Sequence, residues 1–195
     1  MKNLLLFLVF ACTFSFSCLG SPVPFSPIVR NYSVLDYNAG NENWAVAQDE
    51  RGVMYFGNNS GLLRYDGSRW RLFPLPTSGI VRAVYVASDR RIYVGSFEEF
   101  GYFEQNDLNL LEYHSLKEQV KGFDFHNDEI WTIVEQGGNI IFQSFGSYFI
   151  YDGKGTKGVR CPELPLNLFR IGDTLYSQLI NGGVCTFAGD KFIPL

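Results

Sequence analysis

The text of this chain repeats itself about every forty residues. Trp44–Gln48 is followed by Arg51-Gly52, then Val53–Gly57, Asn58-Asn59-Ser60, Gly61–Gly67 and Arg69–Phe73. This reads as strand, turn, strand, turn, strand, turn, strand. The pattern returns as Arg82–Ala87, Ile92–Gly95, Gly101–Phe103 and Leu110–Tyr113. It returns again as Glu129–Val134, Asn139–Gln143 and Tyr148–Gly153, and a fourth time as Leu168–Ile171, Thr174–Ser177, Gly183–Phe187 and Lys191–Ile193. Tyr55 to Tyr93 is 38 residues, Tyr93 to Ile141 is 48, and Ile141 to Leu175 is 34, a mean of 40. Four strands in a period of about 40 residues mark the blade of a β-propeller.

Strand chemistry agrees. Val53-Met54-Tyr55-Phe56 is apolar on both faces, as a blade packed between two neighbours requires. The turns carry Asp-Gly, Gly-Gly and Asn-Asn, which supply positive φ at little cost. Helical spacing is absent except over Leu108–Lys121, where a helical turn is compatible with the residues. The expected fold is therefore all-β: residues 43–195 as about four four-stranded blades of a larger ring, with seven blades as the expected total. An open arc would leave an apolar blade face in water, so the chain is expected to be the N-terminal part of a longer protein, with a compact four-blade ring as the alternative. Residues 21–42 form a closure segment, in which strand-like Ile28–Ser33 is expected to complete the last blade.

Residues 1–20 read as a secretory signal: Met1-Lys2-Asn3, an apolar run from Leu4 to Phe16, then Cys18-Leu19-Gly20 before a cut. Cys18 keeps a lipoprotein signal open as the rival reading. The mature part retains Cys161 and Cys185, as two small buried hydrophobes or as a disulfide. The net charge of −4, without a basic cluster, argues against nucleic-acid binding by this segment.

The blade text resembles the two-component-regulator propeller repeat: Val46, then Asp49 to Gly52, then Tyr55-Phe56-Gly57, then Gly61-Leu62-Leu63-Arg64-Tyr65-Asp66-Gly67. Asn31-Tyr32-Ser33, Tyr37–Gly40 and Glu98–Phe103 are most similar to the periplasmic sensor region of Bacteroidetes regulators. Blades three and four depart from the repeat: Gln143 replaces the blade glycine, and blade four lacks Tyr-Asp-Gly. The resemblance implies an exported, periplasmic sensor, often of glycans, tethered to the membrane and coupled to transcription. It further implies a downstream triple-tyrosine domain in the same chain, and a homodimer formed through that missing part.

No catalytic signature stands out, and no metal or other cofactor is expected. His114 and His126 lack ligands at metal spacing. Gly153–Gly158 lacks the order of a phosphate loop and reads as a solvated turn. Glu98 and Glu99 could suggest a glycosidase pair, but neighbours in a strand point to opposite faces. In a propeller the turns between second and third strands share one end of the ring. Those turns place Asn58, Asn59, Glu98, Glu99, Phe145 and Asn181 together as candidate ligand-binding residues for an oligosaccharide. The same residue types are ordinary turn formers. An exported propeller-fold glycan lyase or hydrolase, and a protein-interaction scaffold, are the alternatives to a sensor.

Overall fold

A computed structural model describes residues 27–195 except 78, 162, 181, 189 and 190. The signal reading of residues 1–20 lies outside the described residues. Four antiparallel sheets follow one another along the chain. The first comprises β1 (Asn43–Gln48), β2 (Met54–Asn58), β3 (Gly61–Tyr65) and β4 (Trp70–Phe73). The second comprises β5 (Ala83–Val86), β6 (Ile92–Gly95), β7 (Phe100–Gln105) and β8 (Leu111–Ser115). The third holds β9 (Thr132–Gln136), β10 (Asn139–Gln143), β11 (Ser147–Tyr151) and β12 (Thr156–Arg160). The fourth holds β13 (Pro165–Ile171), β14 (Thr174–Leu179), β15 (Val184–Ala188) and β16 (Lys191–Pro194). Strand order within each sheet is sequential. The first strands β1, β5, β9 and β13 pack side by side in succession, so the sheets are arranged as blades about an axis.

Each interface between consecutive blades has its own apolar core. Tyr55, Leu62, Val81, Val94 and Phe103 fill the first. Tyr93, Phe100, Ile130, Phe142 and Phe149 fill the second. Ile141, Tyr148, Leu175 and Phe187 fill the third. Rings interlock across the blades: Phe100 stacks on Phe149 at 4.7 Å between centroids, and Tyr148 meets Phe187 edge-on at 4.8 Å. Burying one such side chain contributes about 1.5–3 kcal/mol. A blade therefore gains its stability from its neighbours.

A second, steric constraint sets how closely blades approach. A Cβ on Gly57, at the end of β2, would lie 2.6 Å from the Val81 carbonyl oxygen in the lead-in to the next blade. A Cβ on Gly95, at the end of β6, would lie 2.6 Å from Ile130 Cβ. Gln143 stands at the same position of the third blade. It is 2 % exposed, and its Nε2 donates to the Pro165 carbonyl of the fourth blade at 3.0 Å. The departure from glycine thus replaces a direct backbone contact with a side-chain bridge.

Three local readings are refined. Gly153–Gly158 is only half a turn: Asp152 Oδ1 accepts from the amides of Lys154 and Gly155, and β12 begins at Thr156. Lys157 and Gly158 hide that strand, because neither is apolar. The helical content of Leu108–Lys121 is confined to a 3-10 turn at Lys117–Gln119. A short helix, α1 (Val34–Tyr37), lies within the 21–42 segment, where Ser33 donates its N–H and hydroxyl to the Asp36 carboxylate. Residues 27–33 form no strand. Tyr32 and Tyr37 pack on Trp70 at 5.1 and 5.5 Å, covering part of the free face of the first blade.

Cys161 and Cys185 are free and buried. Burial pushes the Cys161 thiol up to about 12, although Arg160 acts in the opposite direction. The folded chain is expected to resist a thiol reagent at neutral pH and to react fully only when unfolded. Rapid labelling of the native chain would contradict this burial. Gly57→Ala and Gly95→Ala should each destabilise by about 1–3 kcal/mol in urea unfolding, through overpacking. Gly155→Ala, where nothing lies within 4 Å of the new Cβ, should change stability by less than about 0.5 kcal/mol.

Candidate functional site

The turns between second and third strands lie at one end of the arc, together with the lead-ins to the first strands. Trp44, Arg82, Trp131 and Asn167 occupy one register there. Each immediately precedes the residue paired with Gly57, Gly95, Gln143 or Ser177. Trp44 sits in a β-bulge, because the register slips between Asn43 and Ala45. A bulge re-aims its side chain away from the regular alternation of the strand.

Trp44, Arg82 and Trp131 meet side by side. The Arg82 guanidinium carbon lies 3.8 Å from the Trp44 ring centroid and 5.2 Å from that of Trp131. The two indoles are 6.3 Å apart and nearly perpendicular. Phe145 extends the cluster, 5.8 Å from Trp131. Trp44 and Phe145 are 44 % and 42 % exposed, so aromatic surface faces solvent. Arg82 Nε donates to Glu129 Oε1 at 2.6 Å, while its Nη1 is buried without an acceptor. Exposed Phe97 is bridged to Glu129 through the backbone.

The residues singled out from sequence divide into two groups around this mouth. Asn58 is fully buried. Its Nδ2 donates to Gly40 O, Glu42 O and Asn43 Oδ1, and its Oδ1 accepts from Gly40 and Ser60 amides. Glu99 is also buried, with Oε1 accepting from the hydroxyls of Tyr113 and Ser115 at 2.7 Å. Burial and the Glu99 charge together raise the Tyr113 phenol. These two side chains are committed to internal bonds that fix their turns.

Asn59, Glu98 and Phe145 face outward. Asn59 Oδ1 accepts from Trp44 Nε1 at 2.7 Å, and its Nδ2 donates to Glu42 Oε2 at 3.0 Å. Glu98 has a left-handed φ of 46° and accepts from the Asn127 amide at 3.0 Å. Glu98 and Glu99 thus point into different surroundings. Asn181 lies outside the described residues. Trp44, Arg82, Glu129 and Trp131 escape a sequence reading that searches turns, because they occupy strand starts. For Trp44, Arg82 and Trp131 the shared register one residue before the blade-glycine partner is the signal that finds them, and Glu129 lies two residues before Trp131.

One buried carboxylate braces this end. Asp128 accepts from the Ser144 hydroxyl at 2.6 Å, the His126 amide at 3.1 Å and Arg160 Nη1 at 3.3 Å. His126 itself contacts Asp124 and Arg160, and His114 stacks on Tyr102 while facing Glu104. Among the described residues no group of three His, Cys, Asp or Glu side chains is arranged to hold a metal.

With this geometry in hand, comparison with known proteins places the chain among β-propellers. The extracellular domain of BT4673 from B. thetaiotaomicron, assigned to the hybrid two-component systems, superposes with a TM-score of 0.60 at 17 % identity, covering 80 % of this chain and 21 % of that one. The extracellular domain of BT3049 from the same organism, with the same assignment, gives 0.58 at 14 %, covering 80 % and 22 %. Virginiamycin B lyase from Staphylococcus aureus gives 0.61 at 12 %, covering 78 % and 55 %. These likenesses define the fold. The chain spans about a fifth of the BT4673 domain. No protein-family model matches the chain, and no curated protein does.

Burial acts to raise the Asp128 carboxyl, but its hydrogen bonds and Arg160 outweigh burial and hold it below the usual 3.8. A depressed carboxyl stabilises the fold above its unfolded value. That contribution fades below about pH 4 and is lost as pH falls through the folded value. The stability difference between the natural chain and Asp128→Asn, measured by urea unfolding, should shrink between pH 7 and pH 3. A difference independent of pH would contradict the assignment.

Proposed function

We propose that this chain is the ligand-sensing propeller of an exported signal-transducing protein, and that the ligand is a glycan. The observation that carries this reading is the aromatic mouth of Trp44, Trp131 and Phe145, in which the Trp44 and Phe145 rings are exposed and Trp131 is half-buried, with Arg82 against both indoles. Aromatic faces stack on the C–H faces of sugars, while amides and carboxylates such as Asn59 and Glu98 bond sugar hydroxyls. The fold-level likeness to extracellular domains of BT4673 and BT3049 supports the placement in a sensor. The signal-like residues 1–20 support export to the periplasm.

In this reading the propeller does no chemistry. Ligand binding shifts the population of two arrangements of the extracytoplasmic part. The shift passes to a triple-tyrosine domain further along the same chain, to a membrane tether and to a homodimer. The likeness to virginiamycin B lyase favours a second reading, an exported propeller lyase. His114 is engaged by Glu104 and Tyr102 and His126 by Asp124 and Arg160, rather than by the rings of the aromatic mouth, which favours the sensor.

Titration of the chain with neutral oligosaccharides, followed by tryptophan fluorescence and calorimetry, tests the proposal. Binding without product formation is expected, and Trp131→Ala should weaken it about tenfold, equivalent to about 1.4 kcal/mol. Eliminative cleavage of a bound glycan would favour the lyase reading. Affinity unchanged by both Trp44→Ala and Trp131→Ala would remove the mouth as the site.

A further inference from the structure

The charges around the mouth narrow the class of ligand, an argument that rests on the glycan reading above. Arg82 alone would attract an anion. Its charge is spent locally, because Glu129 accepts from Nε at 2.6 Å and both side chains are largely buried, at 15 % and 24 % exposure. At the distance of a sugar stacked on the far side of an indole, this pair acts as a dipole rather than as a net cation.

Two more carboxylates remain on the rim. Glu98 faces Lys117 at 3.9 Å. Glu42 bonds the Asn59 amide and has no cationic partner among the described residues. Three carboxylates, Glu42, Glu98 and Glu129, stand against two cations, Arg82 and Lys117, so these five side chains sum to −1. Glu42 is joined through Asn59 to Trp44, so its charge lies beside the aromatic surface.

We infer that the mouth accepts a neutral oligosaccharide and discriminates against anionic ones, those bearing uronate or sulfate groups. Carboxylate oxygens accept from sugar hydroxyls, which a neutral glycan offers at every residue. They repel the carboxylates and sulfates of an acidic glycan at the same positions. Glu42 carries most of this discrimination, because no cation offsets it.

Calorimetry on the full chain at low salt tests the inference, with cellohexaose, xylohexaose and mannohexaose set against hexagalacturonate and a heparin hexasaccharide. At least one neutral sugar is expected to bind about tenfold or more tightly than either acidic one. Glu42→Lys should raise the affinity for the acidic sugars about tenfold, an effect that high salt removes. Glu42→Gln should give a smaller rise of the same sign, and guards against a local folding defect in the lysine variant. Tighter binding of an acidic hexasaccharide by the natural chain would overturn this inference and leave the glycan reading standing. No binding of any hexasaccharide would overturn both.

Discussion

The close approach of one blade to the lead-in of the next governs this structure. Gly57 and Gly95 lie at the far ends of the second strands of their blades with no side chain, Gly57 one residue before the last, and the backbone at Val81 and the side chain of Ile130 fill the space. The Val81 amide donates to Asn58 O, and the Ile130 amide to Ser96 O, so each lead-in is also hydrogen-bonded across the seam. Where Gln143 takes the glycine position, its amide reaches the Pro165 carbonyl instead. Apolar cores then fill each interface outward from that seam. Hydrophobic burial supplies most of the stability, while the seam fixes spacing and register.

The same seam builds the candidate site. Arg82 and Trp131 directly follow or adjoin the pinned lead-ins, so their positions are inherited from blade packing. Trp44 reaches them from the first blade through its bulge, and its indole N–H is held by Asn59. Asn58, Glu99 and Asp128 brace the surrounding turns from beneath by satisfying backbone and hydroxyl groups. Fully bonded buried polar groups of this kind specify one arrangement of the loops. Aromatic platforms on a braced surface need little ordering when a ligand binds, which favours affinity.

Much of this was legible in the residues. The forty-residue spacing and the apolar β2, β6 and β10 segments identify four blades, and the structure forms four sheets. The turn reading points to the end of the blades where the aromatic cluster lies, and Asn59, Glu98 and Phe145 stand on its surface. It could not separate Asn58 from Asn59, because two adjacent amides differ only in which one the bulge and the Gly40 backbone enclose. It passed over Trp44, Arg82 and Trp131 because a strand residue is read as core, and only tertiary register brings these three together at the mouth. The fourth strand of the third blade, Thr156–Arg160, was hidden by Lys157 and Gly158, whose register on β11 is set by hydrogen bonds rather than by apolar pattern. Gly158 is required there, since a Cβ would meet Phe123.

Native-state hydrogen exchange at the lead-in amides tests this account most directly. Val81, Arg82, Ile130 and Trp131 donate to Asn58, Gly95, Ser96 and Gln143 carbonyls, respectively, and lie between the blades and the mouth. The account predicts that these four amides exchange only through global unfolding, with the same free energy as the core strands β6 and β10. Exchange at rates typical of exposed turns would show that the lead-ins are loose, and would contradict both the blade seam and the preformed mouth that depends on it.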